Sequence, residues 1–140
     1  MYRKILVALE NSSADEAILP HVRELARAHQ AELILVHVAE GFGARYQESL
    51  NLEDSQEIQD DRAYLERVRT EFAAAGVSAR AVLETGEPAA KLVEAAERES
   101  CDLIAMATHR HRAIGDLVLG SVASAVRHRT TIPVLMVPAR

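Results

Sequence analysis

Short apolar runs alternate with segments of helical periodicity along the chain. Residues 5–9, 33–38 and 103–107 are apolar with little alternation, which is typical of strands covered on both faces of a parallel sheet. Residues 77–83 alternate and predict a strand nearer a sheet edge. Residues 133–137 predict a last strand, and the proline at its start favours an edge position, where a missing N–H does little harm.

Four helices are predicted between these strands. Apolar residues recur at helical spacing over residues 14–29 and 53–75, and Gly76 is placed to end the second of these helices. Pro88 is suited to the first position of a third helix. A fourth helix is predicted to begin near Ser121, after a Gly-Ser pair.

This order of elements predicts one α/β domain over residues 1–140, with a doubly wound, five-stranded parallel sheet and helices on both faces. The longest irregular stretch is predicted at residues 39–52. Ligands of such sheets bind at the carboxyl ends of the strands, near the point where the strand order reverses. The candidate positions are therefore the residues that follow the strands: 10–13, 38–40, 84–86 and 107–121.

The charge balance disfavours two classes of partner. The net charge is −5 at pH 7, whereas proteins that bind nucleic acid or anionic membrane concentrate Lys and Arg. The first residues carry no pattern of a secretion signal, and no apolar run approaches the ~20 residues needed to span a bilayer. We therefore expect a cytoplasmic protein. Cys101 is the one cysteine, so no internal disulfide is possible, and a structural thiol is the simplest interpretation.

Two neighbouring features suggest an anion site after the fourth strand. Gly120-Ser121 opens a helix, and a helix N-terminus attracts phosphate, although local features alone favour an ordinary N-cap. The basic loop His109-Arg110-His111-Arg112 offers donors to phosphate, and its alternative is a solvated loop. A metal site at His109 and His111 lacks further paired ligands, so no metal is predicted.

No catalytic motif is apparent, and no catalytic residue is assigned. The chain contains no G-x-S-x-G, no G-x-x-x-x-G-K-[ST] and no G-x-G-x-x-G. Glu10 follows the first strand, where its carboxylate suits a ribose, a hydrated cation or the adjacent helix dipole. A phosphoacceptor receiver domain is excluded, because it needs an acidic cluster where this chain has only Glu10. His37, within the second strand, is interpreted as a core or rim histidine.

Several segments together resemble the universal stress protein family over essentially the whole chain. They are Lys4-Ile5-Leu6-Val7-Ala8, Gly86-Glu87-Pro88, Cys101-Asp102-Leu103-Ile104-Ala105-Met106, Gly120-Ser121-Val122 and Pro133-Val134-Leu135-Met136-Val137. The resemblance implies a Rossmann-like sheet of order 3-2-1-4-5. It also implies a homodimer joined edge to edge through the last strand, with no known protein partner beyond that. The strand residues concerned would be Val134, Leu135, Met136 and Val137.

Many members of that family bind ATP through the motif G-x2-G-x9-G-[ST]. Its positions fall here on Ala107, Arg110, Gly120 and Ser121, so the last pair matches and the first two glycines are replaced. An arginine at position 110 either fills the phosphate space or binds phosphate itself. Glu10-Asn11 stands where the family has Asp-Gly, and asparagine is the usual substitute where a left-handed backbone is needed.

The resemblance thus implies a regulatory or protective binding module of the stress response, with a candidate pocket for ATP or AMP and Mg²⁺ as a candidate companion of ATP. Backbone groups of Ala8 and Val38 would hold the adenine, and Glu10 would face the ribose or a cation. The remaining candidate residues are Met106, Thr108, His109, Arg110, Gly120, Ser121 and Val122. Two alternatives stay open: a slow ATP-hydrolysing or autophosphorylating enzyme, and a partner-binding protein whose pocket is blocked by Arg110.

Overall fold

Strands and helices alternate in the computed structural model, which describes residues 1–40, 51–108 and 122–139. The side chains of Glu40 and of residues 51–55 are outside that description. The strands are β1 (Lys4–Ala8), β2 (Glu32–Glu40), β3 (Ala79–Gly86), β4 (Leu103–Thr108) and β5 (Val134–Pro138). The helices are α1 (Asp15–His29), α2 (Asn51–Ala74), α3 (Pro88–Arg98) and α4, which is helical over residues 122–129.

The five strands form one parallel sheet in the order β3-β2-β1-β4-β5. The predicted fold class and strand order are therefore confirmed. Within the described residues β3 pairs only with β2, and β5 pairs only with β4. The two strands predicted near sheet edges, one by its alternation and one by its initial proline, lie there.

The core consists of two apolar layers, one on each face of the sheet. Ile5, Val7, Leu33 and Leu35 face the layer that α1 and α2 cover. Their neighbours in sequence face the layer that α3 and α4 cover. Because successive strand residues point to opposite faces, strands with helices on both sides need the unbroken apolar runs seen in the sequence.

Two predicted boundaries are wrong, for the same reason. β2 extends to Glu40 because it pairs with β3 over its whole second half, from His37↔Leu83 to Glu40↔Gly86. Residues 84–86 are consequently strand residues and do not follow a strand. The predicted irregular stretch 39–52 likewise starts inside β2 and ends inside α2, and its residues 41–50 lie outside the described part.

Other local predictions are confirmed. Gly76 follows α2 with φ of 82°, the left-handed conformation that a residue with a Cβ adopts only at a cost. Cys101 is buried, and this burial raises the pKa of its thiol to about 11.

Among the described residues, the helices are too short or too polar to cross a membrane. The predicted start of α4 at Ser121 lies outside the described residues.

Candidate functional site

The site begins where β1 ends and its neighbour β2 continues. β1 pairs with β2 as far as Ala8↔Val36, and the Leu9 N–H then donates to the Val36 carbonyl at 2.8 Å. Alternate residues of a strand direct their N–H and C=O to the same side. The backbone groups of Val38 therefore point to the side of Val36, where β1 no longer runs. Among the described residues no strand partner faces them there.

A cleft of about 410 Å³ opens at this place, along the carboxyl ends of β1, β2 and β4. This is within the usual size range of small-molecule sites. Strand order reverses between β1 and β4, so the cleft lies at the point where doubly wound sheets bind ligands. Its lining residues are Ala8, Leu9, Glu10, Val36, His37, Val38, Ala39, Glu57, Pro88, Leu92, Met106, Ala107 and Val122.

Ten of these thirteen lining residues are apolar, and the three others are Glu10, His37 and Glu57. The Glu10 carboxylate is exposed and accepts a hydrogen bond from the Ser12 hydroxyl at 3.2 Å. Glu57 approaches from α2 and is also exposed. The described walls thus combine an apolar slot with two carboxylates. Such walls suit a flat base and groups that donate hydrogen bonds.

The loop after β1 is held by one buried carboxylate. Asp15, at the start of α1, is 2% exposed and accepts from the backbone N–H groups of Glu10 at 3.0 Å and Asn11 at 2.9 Å. Asn11 has φ of 59°, the left-handed conformation expected at this position. The direction in which the loop carries Glu10 to the cleft is therefore set from α1.

Helix α2 supplies a second set of contacts to the same loop. The Tyr64 hydroxyl donates to Asp15 Oδ2 at 2.5 Å. The Asn11 amide donates to Asp61 Oδ1 at 3.0 Å, and Asp61 is 7% exposed. Burial, and then the hydrogen bond and the charge of Asp15, raise the pKa of Tyr64 above its ordinary value. Two buried carboxylates thus meet at the loop, each with specific donors.

The N-terminus of α3 reaches the cleft through Pro88, but its N–H groups already have an anion. The Glu87 carboxylate accepts from the N–H groups of Ala89 at 2.9 Å and Ala90 at 3.1 Å. These bonds lower the pKa of Glu87. Glu87 also lies 3.2 Å from Arg129 of α4, an ion pair that joins α3 to α4. The Glu87 side chain therefore already caps the N-terminus of α3.

Sequence-predicted residues fall into three groups. The structure brings Ala8, Glu10, Val38, Met106 and Val122 together in the cleft. Thr108 ends β4, where its carbonyl accepts from the Ala139 N–H at 2.7 Å, and it is not among the lining residues. His109, Arg110, Gly120 and Ser121 lie outside the described residues.

Sequence reasoning missed two polar lining residues. Glu57 is one of many charged residues on α2, and nothing in the helical period marks it as facing a cleft. His37 is flanked by apolar strand residues, which indicate only a core or rim side chain. Its period-2 position predicts the α1 and α2 face, but only the packed α2 shows what it meets there. No group of three or more metal-binding side chains occurs in the described parts of the chain.

Comparison with known proteins agrees with this geometry. The model of the universal stress protein family matches residues 1–138. The chain belongs to the universal stress protein family. A universal stress protein of Thermus aquaticus is 34% identical over 139 residues, which cover 98% of this chain and 99% of that protein.

Solved structures of family members have the same fold. Protein MJ0577 of Methanocaldococcus jannaschii superposes with a TM-score of 0.85 at 28% identity, over 100% of this chain and 98% of the other. The universal stress protein of Archaeoglobus fulgidus, solved in complex with dAMP, has a TM-score of 0.72 at 22% identity, over 97% and 98% of the two chains. At that identity the second likeness concerns the fold alone.

Proposed function

We propose that this universal stress protein binds an adenine nucleotide in the cleft at the ends of β1, β2 and β4. In this proposal it acts in the cytoplasm as a regulatory or protective module that binds the nucleotide and does not hydrolyse it. The supporting observation is that β2 continues to Glu40, whereas its pairing with β1 ends at Ala8↔Val36. This leaves one N–H and one C=O of Val38 beside an apolar slot of suitable size.

Val38 offers a specific pattern to a base. Its carbonyl accepts from the exocyclic amino group of adenine, and its N–H donates to the adjacent ring nitrogen. Guanine presents the reverse pattern at this edge, an acceptor oxygen and a ring N–H, and would leave both backbone groups unpaired. Unpaired buried polar groups are costly, so a preference for adenine of at least about tenfold is expected.

In this proposal the ribose lies near the end of β1 and the phosphates lie near the end of β4. Glu10 suits the ribose hydroxyls, which donate to a carboxylate. The family resemblance assigns the phosphates to the segment that holds Gly120 and Ser121. The universal stress protein of Archaeoglobus fulgidus was solved in complex with dAMP, and the proposal extends this class of ligand to the present chain.

Isothermal titration calorimetry with AMP, ATP and GMP tests the proposal. Ala8→Phe fills the cleft and should abolish binding. Ala125→Phe is the matched control, since Ala125 is also half-buried against the same apolar layer but does not line the cleft. No heat with either adenine nucleotide at millimolar concentration, or equal loss in both variants, would contradict the cleft as the site.

Two further measurements separate the alternatives. A timed assay for ADP on purified protein distinguishes binding from hydrolysis, and no product above the buffer control is expected. Arg110→Gly tests the altered motif: if the side chain fills the phosphate space, affinity for ATP rises while affinity for adenosine is unchanged. A selective fall for ATP would instead make Arg110 a phosphate ligand.

A further inference from the structure

His37 joins three elements at the back of the cleft. Its Nδ1 lies 2.9 Å from the carbonyl oxygen of Leu9, the residue that follows β1. Its Nε2 lies 3.2 Å from Asp61 Oδ2 of α2. Both side chains are largely buried, with 13% of the His37 side chain and 9% of the Asp61 side chain exposed. The imidazole therefore links the end of β1 to α2 from its place on β2.

The partners of the two ring nitrogens fix the number of protons. A carbonyl only accepts, so Nδ1 must carry a hydrogen. A neutral imidazole has one hydrogen, which leaves a lone pair on Nε2 facing a carboxylate oxygen. The contact is favourable only with a second proton between Nε2 and Asp61, as an imidazolium paired with a carboxylate. The other oxygen of Asp61 is already bonded to the Asn11 amide.

This proton affects the geometry of the cleft. His37 and Asp61 hold the two ends of the segment from Leu9 to Asn11, and Glu10 between them reaches the cleft. Loss of the proton places two lone pairs against each other, 3.2 Å apart, in a site that water hardly reaches. The pair then separates, or the segment moves with one of its ends.

We propose that His37 and Asp61 are positioning residues that hold the Leu9–Asn11 segment in its binding geometry only while they share this proton. This inference rests on the proposed nucleotide site. Ligand affinity is then linked to pH: high where the pair is protonated, lower where it is not. The apparent dissociation constant rises as the fraction of binding-competent protein falls.

Other charged groups around His37 do not remove this dependence. Asp15 on α1 is engaged by two backbone N–H groups and Tyr64. Glu10 and Glu57 line the cleft as carboxylates. On β3, His37 pairs with Leu83, and Glu84 beside it is paired with Arg98 at 2.8 Å.

Cyclic AMP is the suitable probe, because its phosphodiester keeps one charge through the range in which histidine titrates. The second ionisation of a phosphate monoester such as AMP lies near pH 6 and would obscure the effect. Calorimetry at pH 6.0 and 8.0 should show the affinity of the native protein falling about tenfold at the higher pH. This is the scale of one lost charge-assisted hydrogen bond.

Two variants remove the requirement for the proton. In Asp61→Asn the amide donates to the lone pair of a neutral His37 and still accepts from Asn11. In His37→Asn the amide donates to the Leu9 carbonyl and does not titrate. Both variants should bind cyclic AMP with nearly equal affinity at the two pH values. His29→Asn is the control, since His29 contacts the N-terminus at the opposite end of the sheet and should retain the native pH dependence.

Each outcome decides the matter. A tenfold change in the native protein and in His29→Asn, absent from both other variants, supports the proposal. Equal native affinity at the two pH values, or the native change retained in Asp61→Asn, overturns it and leaves the nucleotide site intact. Absence of cyclic AMP and AMP binding at every pH overturns the proposed function, and this inference with it.

Discussion

Tyr64 of α2 donates its hydroxyl hydrogen to Asp15 of α1, across 49 residues of sequence. This bond ties together the two helices on one face of the sheet, directly below the loop that reaches the cleft. Asp15 accepts two backbone N–H groups of that loop as well. The tyrosine therefore supports a structural carboxylate and is not among the described lining residues of the cleft, so its effect should appear mainly as stability.

We expect Tyr64→Phe to lower the free energy of unfolding by about 1–2 kcal/mol at pH 7, because a buried carboxylate loses one donor. The raised pKa of Tyr64 adds a pH dependence. The folded protein keeps this proton where an unfolded tyrosine loses it, so the contribution is complete below about pH 10 and is lost as the pH rises further. Urea unfolding at pH 7 and above pH 10 should show the variant and native protein converging.

Asn11 combines a left-handed backbone with a side-chain hydrogen bond, and two substitutions separate these features. Asn11→Gly loses the bond to Asp61 and also removes the Cβ, so that the left-handed backbone is kept without steric cost; the expected net loss of stability is about 1 kcal/mol. Asn11→Ala loses the same bond but keeps a Cβ at φ of 59°, and should therefore cost about 1 kcal/mol more than Asn11→Gly. Thermal unfolding measures both. Equal stability of the two variants would show that the left-handed backbone contributes nothing.

Glu57 is expected to discriminate among ligands by charge. Its carboxylate lines the described wall of the cleft and opposes the phosphates of a polyanionic ligand more than a neutral nucleoside. Glu57→Gln should therefore raise affinity for ATP about two- to fivefold at low salt and leave adenosine nearly unchanged. Glu24→Gln is the control for a general change in net charge, since the Glu24 side chain is exposed on α1 and does not line the cleft. An equal effect on both ligands would assign Glu57 a contact with the base.

The edge strand β5 is the proposed dimer interface. Met136 is 38% exposed and is one of the two exposed large hydrophobic residues described. Leu135 packs partly against the core, so Met136→Lys tests the interface with less risk to the fold. Multi-angle light scattering is expected to show a dimer for the native protein and a monomer for Met136→Lys at the same concentration. The control is Ala81→Lys on the opposite edge strand. Dissociation of that variant alone would place the interface on β3.

The strands, helix faces and strand order follow from local patterns and the family resemblance. Continuous apolar runs such as residues 5–9 predict doubly covered strands, because side chains alternate between the faces with a period of two. The extent of β2 was not predictable. Its last residues are polar or small, and they belong to the strand because β3 continues beside them.

The sequence alone predicted a ligand site after β1 and β4, because the ends of parallel strands meet at one edge of the sheet. It also placed Asn11 in a left-handed turn. Only the tertiary structure decided what lies around that turn. His37, Asp61 and Asp15 come from three separate elements, and their contacts depend on how α2 lies against β2. That packing depends on the shape of the whole core, which no local period encodes.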